Sequence, residues 1–345
     1  GCDGSAGRSF DSVADRMSTD LTETMEAPAV ADPRPASTDD GWRVVRIVLL
    51  VTYAAVYVVY VWKVGLPIAR IAVLFSVAPP VLLAQVGKPW RAWLRTLGDL
   101  AIYAAMWLAY DRSRGFADAA GFPLQVQFPA YVDRFLAFNH DPNVWMQDRF
   151  YHANSIRWYD VAGSLIYFTH FLFPVAAAVV LWIVSRRLWV RYMRRFATVL
   201  FAGVATYIVL PTAPPWMASS DYHVFRELAR PTGRGWNRLH LRSVGKAFLK
   251  GAEWSNPTAA LPSLHAAFAL FVPLFFFTWV RRPGWRALML CFPLSMGLTL
   301  VYFGEHYVTD IMLGWLYVAG SFAFWNWWEA GRTGGFKIVM RAPQD

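Results

Sequence analysis

Charged residues are scarce in this 345-residue chain: Asp, Glu, Lys and Arg make up 16%, against 56% hydrophobic residues and 18 Trp. That balance excludes an ordinary soluble domain. Cysteine is nearly absent. Cys2 lies in a polar stretch and Cys291 in an apolar run, so neither a structural disulfide nor a cysteine metal site is expected. Ten-residue segments of alternating polarity are missing, which excludes a transmembrane barrel. Residues 1–41 lack apolar periodicity. Rich in Ser, Ala, Asp and Pro, they are expected to form a disordered tail rather than a signal peptide; a lipidated start at Gly1-Cys2 is not expected.

What the chain does have is long apolar runs. They predict an all-α, polytopic membrane helix bundle of about eight spans: 44–62, 66–86, 94–110, 161–184, 196–210, 264–280, 288–303 and 307–328. Pro79-Pro80 predicts a kink in the second, and Lys63-Val64-Gly65 a tight turn before it. Phe128 to Phe138 mixes aromatics with Asp133 and Arg134, as a helix lying in the membrane interface would. The net charge of +10 reads as basic loops held on the cytoplasmic side rather than as a nucleic-acid surface. With eight spans, the Arg-dense segments 87–93, 185–195 and 281–286 fall on one side, with both termini. The long connections 111–157 and 217–260 and the turn at Gly304-Glu305-His306 fall on the other. The expected location is therefore the cell membrane, multi-pass, with this second face extracytoplasmic.

Both interesting histidines fall on that outer face. His265 follows Pro262-Ser263-Leu264, and His306 precedes Asp310 by four residues. On one helix face, Asp310 reaches the His306 imidazole and fixes its tautomer. Two opposed imidazoles suit a nucleophile and a general acid. Ser263 and the backbone N–H groups that follow it are placed to hold phosphate oxygens, because a helix N-terminus favours anions. Two His and one carboxylate also form a metal facial triad, but no third strong ligand is evident and no metal or cofactor is expected. Glu305 is expected to face away from His306, His170 to bond between helices or line the pocket, and Asp99 to be a helix-start carboxylate.

Pro262-Ser263-Leu264-His265 followed by His306-Tyr307-Val308-Thr309-Asp310 resembles the type 2 phosphatidic acid phosphatase superfamily, with signatures PSGH and SRxxxxxHxxxD. Leu264 replaces the usual Gly, and Thr299-Leu300 replaces the Ser-Arg pair. Pro211 to Trp216 and His306-Tyr307 are closer to the inositol phosphorylceramide synthase branch, which also lacks that Arg; Trp145 to Gln147 and Tyr167 to Phe171 are weakly similar to it. The resemblance covers residues 95–328 as a six-helix catalytic core. Residues 42–94 would be two added spans with a basic loop, and 329–345 a cytoplasmic tail. It implies attack by His306 to give a phosphohistidine, orientation by Asp310 and protonation of the leaving group by His265, without a metal. Lys88 and Arg95 match the family's KxxxxxxR spacing, but the charge pattern puts them across the membrane, so the match is read as accidental.

Cations for the phosphate are sought in the outer segment, among Arg226, Arg230, Arg234, Arg238, Arg242, Lys246 and Lys250, with Trp216 and His170 as further pocket residues. The expected function is transfer of a phosphorylated headgroup, of the inositol-phosphate type, from a lipid-linked phosphate substrate. The alternatives are a lipid phosphate phosphatase using water and a non-catalytic membrane lipid-binding or transport protein. A phosphodiester carries less charge than a monoester and needs fewer cations; the missing Arg at Leu300 therefore leans toward transfer. The partners are the bilayer and the lipid substrate, with no nucleic acid; the sequence leaves the oligomeric state open.

Overall fold

The computed structural model describes residues 38–64, 70–241, 244 and 258–332. Residues 1–37, 65–69, 333–345, Arg242, Lys246 and Lys250 lie outside the described residues; of the tail expected over 1–41 the last four residues are helical, and of the turn expected at Lys63-Val64-Gly65 the first two residues end the same helix. Among those described there are twelve α-helices: α1 Thr38–Val64, α2 Arg70–Leu83, α3 Trp90–Ala119, α4 Phe128–Leu136, α5 Pro142–Phe150, α6 Trp158–Val184, α7 Arg186–Val209, α8 Pro215–Ser220, α9 Arg234–Arg238, α10 Leu264–Phe276, α11 Pro283–Tyr302 and α12 Val308–Arg332. The all-α bundle expected from the apolar runs is the one found.

Four helices among the described residues are long and apolar enough to cross a membrane: α1, α6, α11 and α12. The other four expected spans are helices too, but each falls short in length or polarity. Helix α2 has 14 residues and α10 has 13, which at ~1.5 Å per residue reach less than the ~30 Å of a hydrocarbon core. The proline pair lies inside α2. Helix α3 carries charged residues at both ends and α7 at its start.

The segment 185–195, expected as a loop, is instead the start of α7. Ser185 caps it by accepting from the Leu188 N–H at 3.5 Å. Its arginines are accommodated by partners. Arg186 donates through Nε and Nη2 to the two oxygens of Asp99 at 2.7 and 2.6 Å, and Trp182 donates to Asp99 at 3.0 Å. Asp99 is thus an interhelical partner within α3 rather than a helix-start carboxylate. Buried Arg195 donates to both oxygens of Glu329 and to Asn326. Such bidentate pairs leave little charge unsatisfied.

Helix α10 is central and packs against α6, α7, α11 and α12; α3 packs on α7. These six form the core. Tyr192, Phe196, Leu200, Phe268 and Phe271 fill it on one side of α10, and Met296, Leu300, Phe303 and Ile311 on the other. Helix α1 packs on α2, where the Tyr53 hydroxyl donates to the Ser76 carbonyl at 2.6 Å. Its outward Val44, Val51, Val58 and Trp62 are exposed, as a lipid-facing surface requires.

The bundle has two unlike ends. Arg186, Asp99, Arg195 and Glu329 gather at one. At the other, three connections are knitted by backbone bonds: Gln125 N–H to Pro211, Ala213 N–H to Gln125, Thr212 N–H to Thr258 and Ala260 N–H to Thr212. The second end carries the histidines. Arg95, one turn before Asp99, belongs to the first, as the charge pattern required.

Candidate active site

Two helix starts and one turn build the site. Ser263 caps α10: its Oγ accepts from the Ala266 N–H at 3.2 Å. An N-cap of this kind is worth ~1 kcal/mol. Ser263 is fully buried, and its own N–H donates to the Asp310 carbonyl at 2.9 Å. That bond ties the start of α10 to the start of α12. Gly314 permits the approach, because a Cβ there would stand 2.4 Å from the Ser263 carbonyl oxygen. His265 follows two residues after the cap, partly exposed.

His306 reaches the same place from the end of α11. Gly304 adopts φ +67°, the left-handed conformation that suits glycine after a helix. The Gly304 N–H donates to Val301, and the Glu305 and His306 N–H groups to Leu300. This pattern closes α11 and aims His306 back at α10. Leu300, where the family motif carries Arg, is fully buried in the apolar cluster.

The two imidazoles meet. His265 Nδ1 lies 3.3 Å from His306 Nε2, and His306 Nδ1 lies 3.2 Å from Asp310 Oδ2. Asp310 is fully buried and His306 nearly so. The carboxylate can only accept from Nδ1, so His306 carries its proton there and its Nε2 is left as a lone pair. His265 Nδ1 must then donate to it. The chain of contacts therefore sets an order: an unprotonated nitrogen on His306 and a protonated one on His265.

Helix α12 begins at Val308, so His306 sits in the turn before the helix rather than on its face. Asp310 reaches it because it also accepts the Tyr307 N–H at 2.9 Å, the reach of an acidic residue in a first helical turn back to the helix start. The next donors, the Val308 and Thr309 N–H groups, go to Asp133 of α4 at 2.8 Å each, and the Thr309 hydroxyl donates to the same carboxylate at 2.6 Å. Burial raises the Asp133 carboxyl above its ordinary value. The bonds from Thr309 and Val308 oppose that shift, and the Asp310 charge adds to it. From α5, the buried Asn143 amide donates to the Val301 and His306 carbonyls at 2.8 and 3.1 Å. Gln147 bridges Ala229 and Tyr302. Sequence reasoning missed Asp133, Asn143 and Gln147, which act on backbone far away in the chain.

The basic segment divides. Arg226 pairs with Asp148 at the surface, and Arg234 donates to the His152, Ala153 and Ser155 carbonyls. Arg238 is exposed at the end of α9. Arg230 alone among these described arginines pairs beside His306: it donates to both oxygens of Glu305 at 2.8 and 3.1 Å and lies 4.4 Å over the Trp216 ring. Burial lowers the Arg230 guanidinium's proton affinity, but the Glu305 charge and hydrogen bonds outweigh this and raise it overall. The Glu305 carboxylate, expected to face away from His306, is held by Arg230 and the Thr232 hydroxyl. His170 lies against His265 with ring centroids 4.1 Å apart and stacks on Phe268, while its Nδ1 has no partner among the described residues. Through that nitrogen it makes no bond between helices among the described residues. Tyr167 stacks on His265 at 4.8 Å. No cluster of metal-ligating residues occurs among the described residues.

Fold and site define a helical membrane protein with a histidine pair and a buried carboxylate at one end of its bundle. The chain belongs to the PAP2 superfamily, whose family model matches residues 130–324, and it is an enzyme of that superfamily. It is 26% identical over 187 residues to a phosphoinositol dihydroceramide synthase of Bacteroides thetaiotaomicron, covering 52% of this chain and 59% of that protein. The chain thus spans little more than half the length of this curated relative. No solved structure matches it.

Proposed function

We propose that the chain is a phosphotransferase that moves a phosphorylated headgroup from a lipid to a hydroxyl acceptor through a covalent intermediate on His306. The observation that carries this reading is the ordered contact of His306 Nε2 with His265 Nδ1, backed by Asp310. The His306 lone pair attacks phosphorus, and the bond from phosphorus to the lipid oxygen breaks. His265, as the imidazolium, gives that oxygen its proton and is left as neutral imidazole. The acceptor hydroxyl then loses its proton to His265 and attacks phosphorus, and the P–N bond breaks to restore His306. At 3.3 Å the imidazoles touch, so substrate must part them. The name of the Bacteroides relative supports an inositol-phosphate headgroup.

The site faces outward in this proposal. Arg186, Arg191 and Arg195 gather at the opposite end of the bundle, and basic residues favour the cytoplasmic side. Arg230 and Trp216 edge the pocket for the phosphate, with Ser263 shaping its floor. The test uses purified protein in vesicles sorted so that the histidine end faces out. They receive phosphatidylinositol labelled in its headgroup, with or without a ceramide or diacylglycerol acceptor. Acceptor-dependent transfer on the outer leaflet is expected, with a loss of ~10³-fold or more in His306→Ala. Release of headgroup phosphate into water without acceptor would instead favour the phosphatase reading. Equal behaviour of wild type and His306→Ala would favour a lipid-binding or transport protein.

A further inference from the structure

We infer that Glu305 sets the charge of the phosphate the site accepts: as the fixed counter-ion of Arg230, it favours a singly charged phosphodiester over a doubly charged phosphomonoester. The inference rests on the proposed reading of the His265–His306 pair as a phosphoester site, and it assigns a specificity role to a residue outside that pair.

Three observations place Glu305. It immediately precedes His306, on the turn fixed by Gly304, so its backbone position is set by the same bonds that aim the imidazole. Its carboxylate is gripped on both oxygens: Arg230 takes both, and the Thr232 hydroxyl donates to Oε1 at 2.5 Å. The Glu305 side chain is 8% exposed against 36% for Arg230, so the guanidinium can be reached from outside while its counter-ion stays inside. Arg230 also lies over Trp216, its Cζ 4.4 Å from the ring centroid. Both charges lie within electrostatic reach of Tyr167, the residue whose ring stacks on His265.

A phosphate arriving at His306 therefore meets a guanidinium whose charge is already balanced. It also meets two carboxylates, Glu305 before the histidine and Asp310 behind it. One negative charge can share Arg230 with Glu305. A second negative charge finds Arg230 committed and is repelled by both carboxylates in a partly dehydrated setting, where such repulsion is strong. A purely structural role, with Arg230 and Glu305 stapling the 229–232 segment to the turn, would affect all substrates alike. Selectivity by charge would not.

The test compares wild type and Glu305→Gln, full chain in phospholipid vesicles. The two substrates are phosphatidic acid as the monoester and phosphatidylinositol as the diester. Neutralising Glu305 is expected to raise the monoester-to-diester rate ratio about tenfold; an unchanged or lower ratio in the folded variant overturns the inference. A second measurement needs only the wild type. Competition by glycerol phosphate, relative to its methyl diester, is expected to strengthen as pH falls from about 7.5 to about 5, because the monoester loses its second charge near pH 6. A flat ratio also overturns the inference. Wild type inert on both lipids would overturn the phosphoester reading and this inference with it. An active wild type with unmoved ratios would remove the Glu305 assignment alone.

Discussion

At the scale of single residues, the site is a line of hydrogen bonds that assigns a proton to each nitrogen. Asp310 accepts from His306 Nδ1, and that choice leaves Nε2 bare toward His265. Asp310→Asn keeps the shape but offers an amide N–H as well as an oxygen, and a flipped amide selects the wrong tautomer. We expect turnover to fall by ~10²–10⁴-fold with little change in KM, measured by steady-state transfer kinetics. The histidines and Asp310 were legible in the sequence because their chemistry is rare beside apolar runs and their spacing is local. Their exact partners were less so. His306 pairs with Asp310 from a turn, by the reach of a first-turn carboxylate, and not across a helix face. The arginines spaced by four misled in another way. That spacing suggests one function, yet Arg226, Arg230 and Arg234 have three different partners, because Pro231 and the glycines break any shared face.

At the scale of elements, His265, His306 and Asp310 each lie at a helix terminus whose loose backbone groups are taken up elsewhere. The first N–H groups of α12 go to Asp310 and Asp133, which satisfies donors that a helix leaves unpaired and sets negative charge where the helix dipole favours it. Asp133 comes from α4, whose other face presents exposed Phe128, Tyr131 and Phe135. A helix was expected there from its aromatics, and one is found over Phe128–Leu136. Its grip on α12 was not legible, since nothing local marks a contact made 175 positions along the chain. Asp133→Ala strands two backbone donors and a hydroxyl, and it is expected to cost ~1–3 kcal/mol of stability. Thermal or denaturant unfolding in detergent checks the loss, and an unchanged midpoint would contradict the capping role.

At the scale of the whole molecule, the arginines of α7 and the histidine pair lie at opposite ends of one helical bundle. The apolar runs located all eight long or apolar helices. They misplaced the ends wherever a charge found a partner inside the bundle. Helix α7 starts at Arg186 because Asp99 and Glu329 receive Arg186 and Arg195; sequence alone could not pair residues on different helices. The histidine pair lies at the end where the segments around Gln125, Thr212 and Ala260 are tied by backbone bonds. The most direct measurement is to quench wild-type protein within the first turnovers on headgroup-labelled phosphatidylinositol, digest it under alkaline conditions and locate the phosphorus adduct by mass spectrometry. The account predicts the adduct on His306, with none in His306→Ala. Stoichiometric label on another residue, or undiminished transfer by His306→Ala, would contradict it.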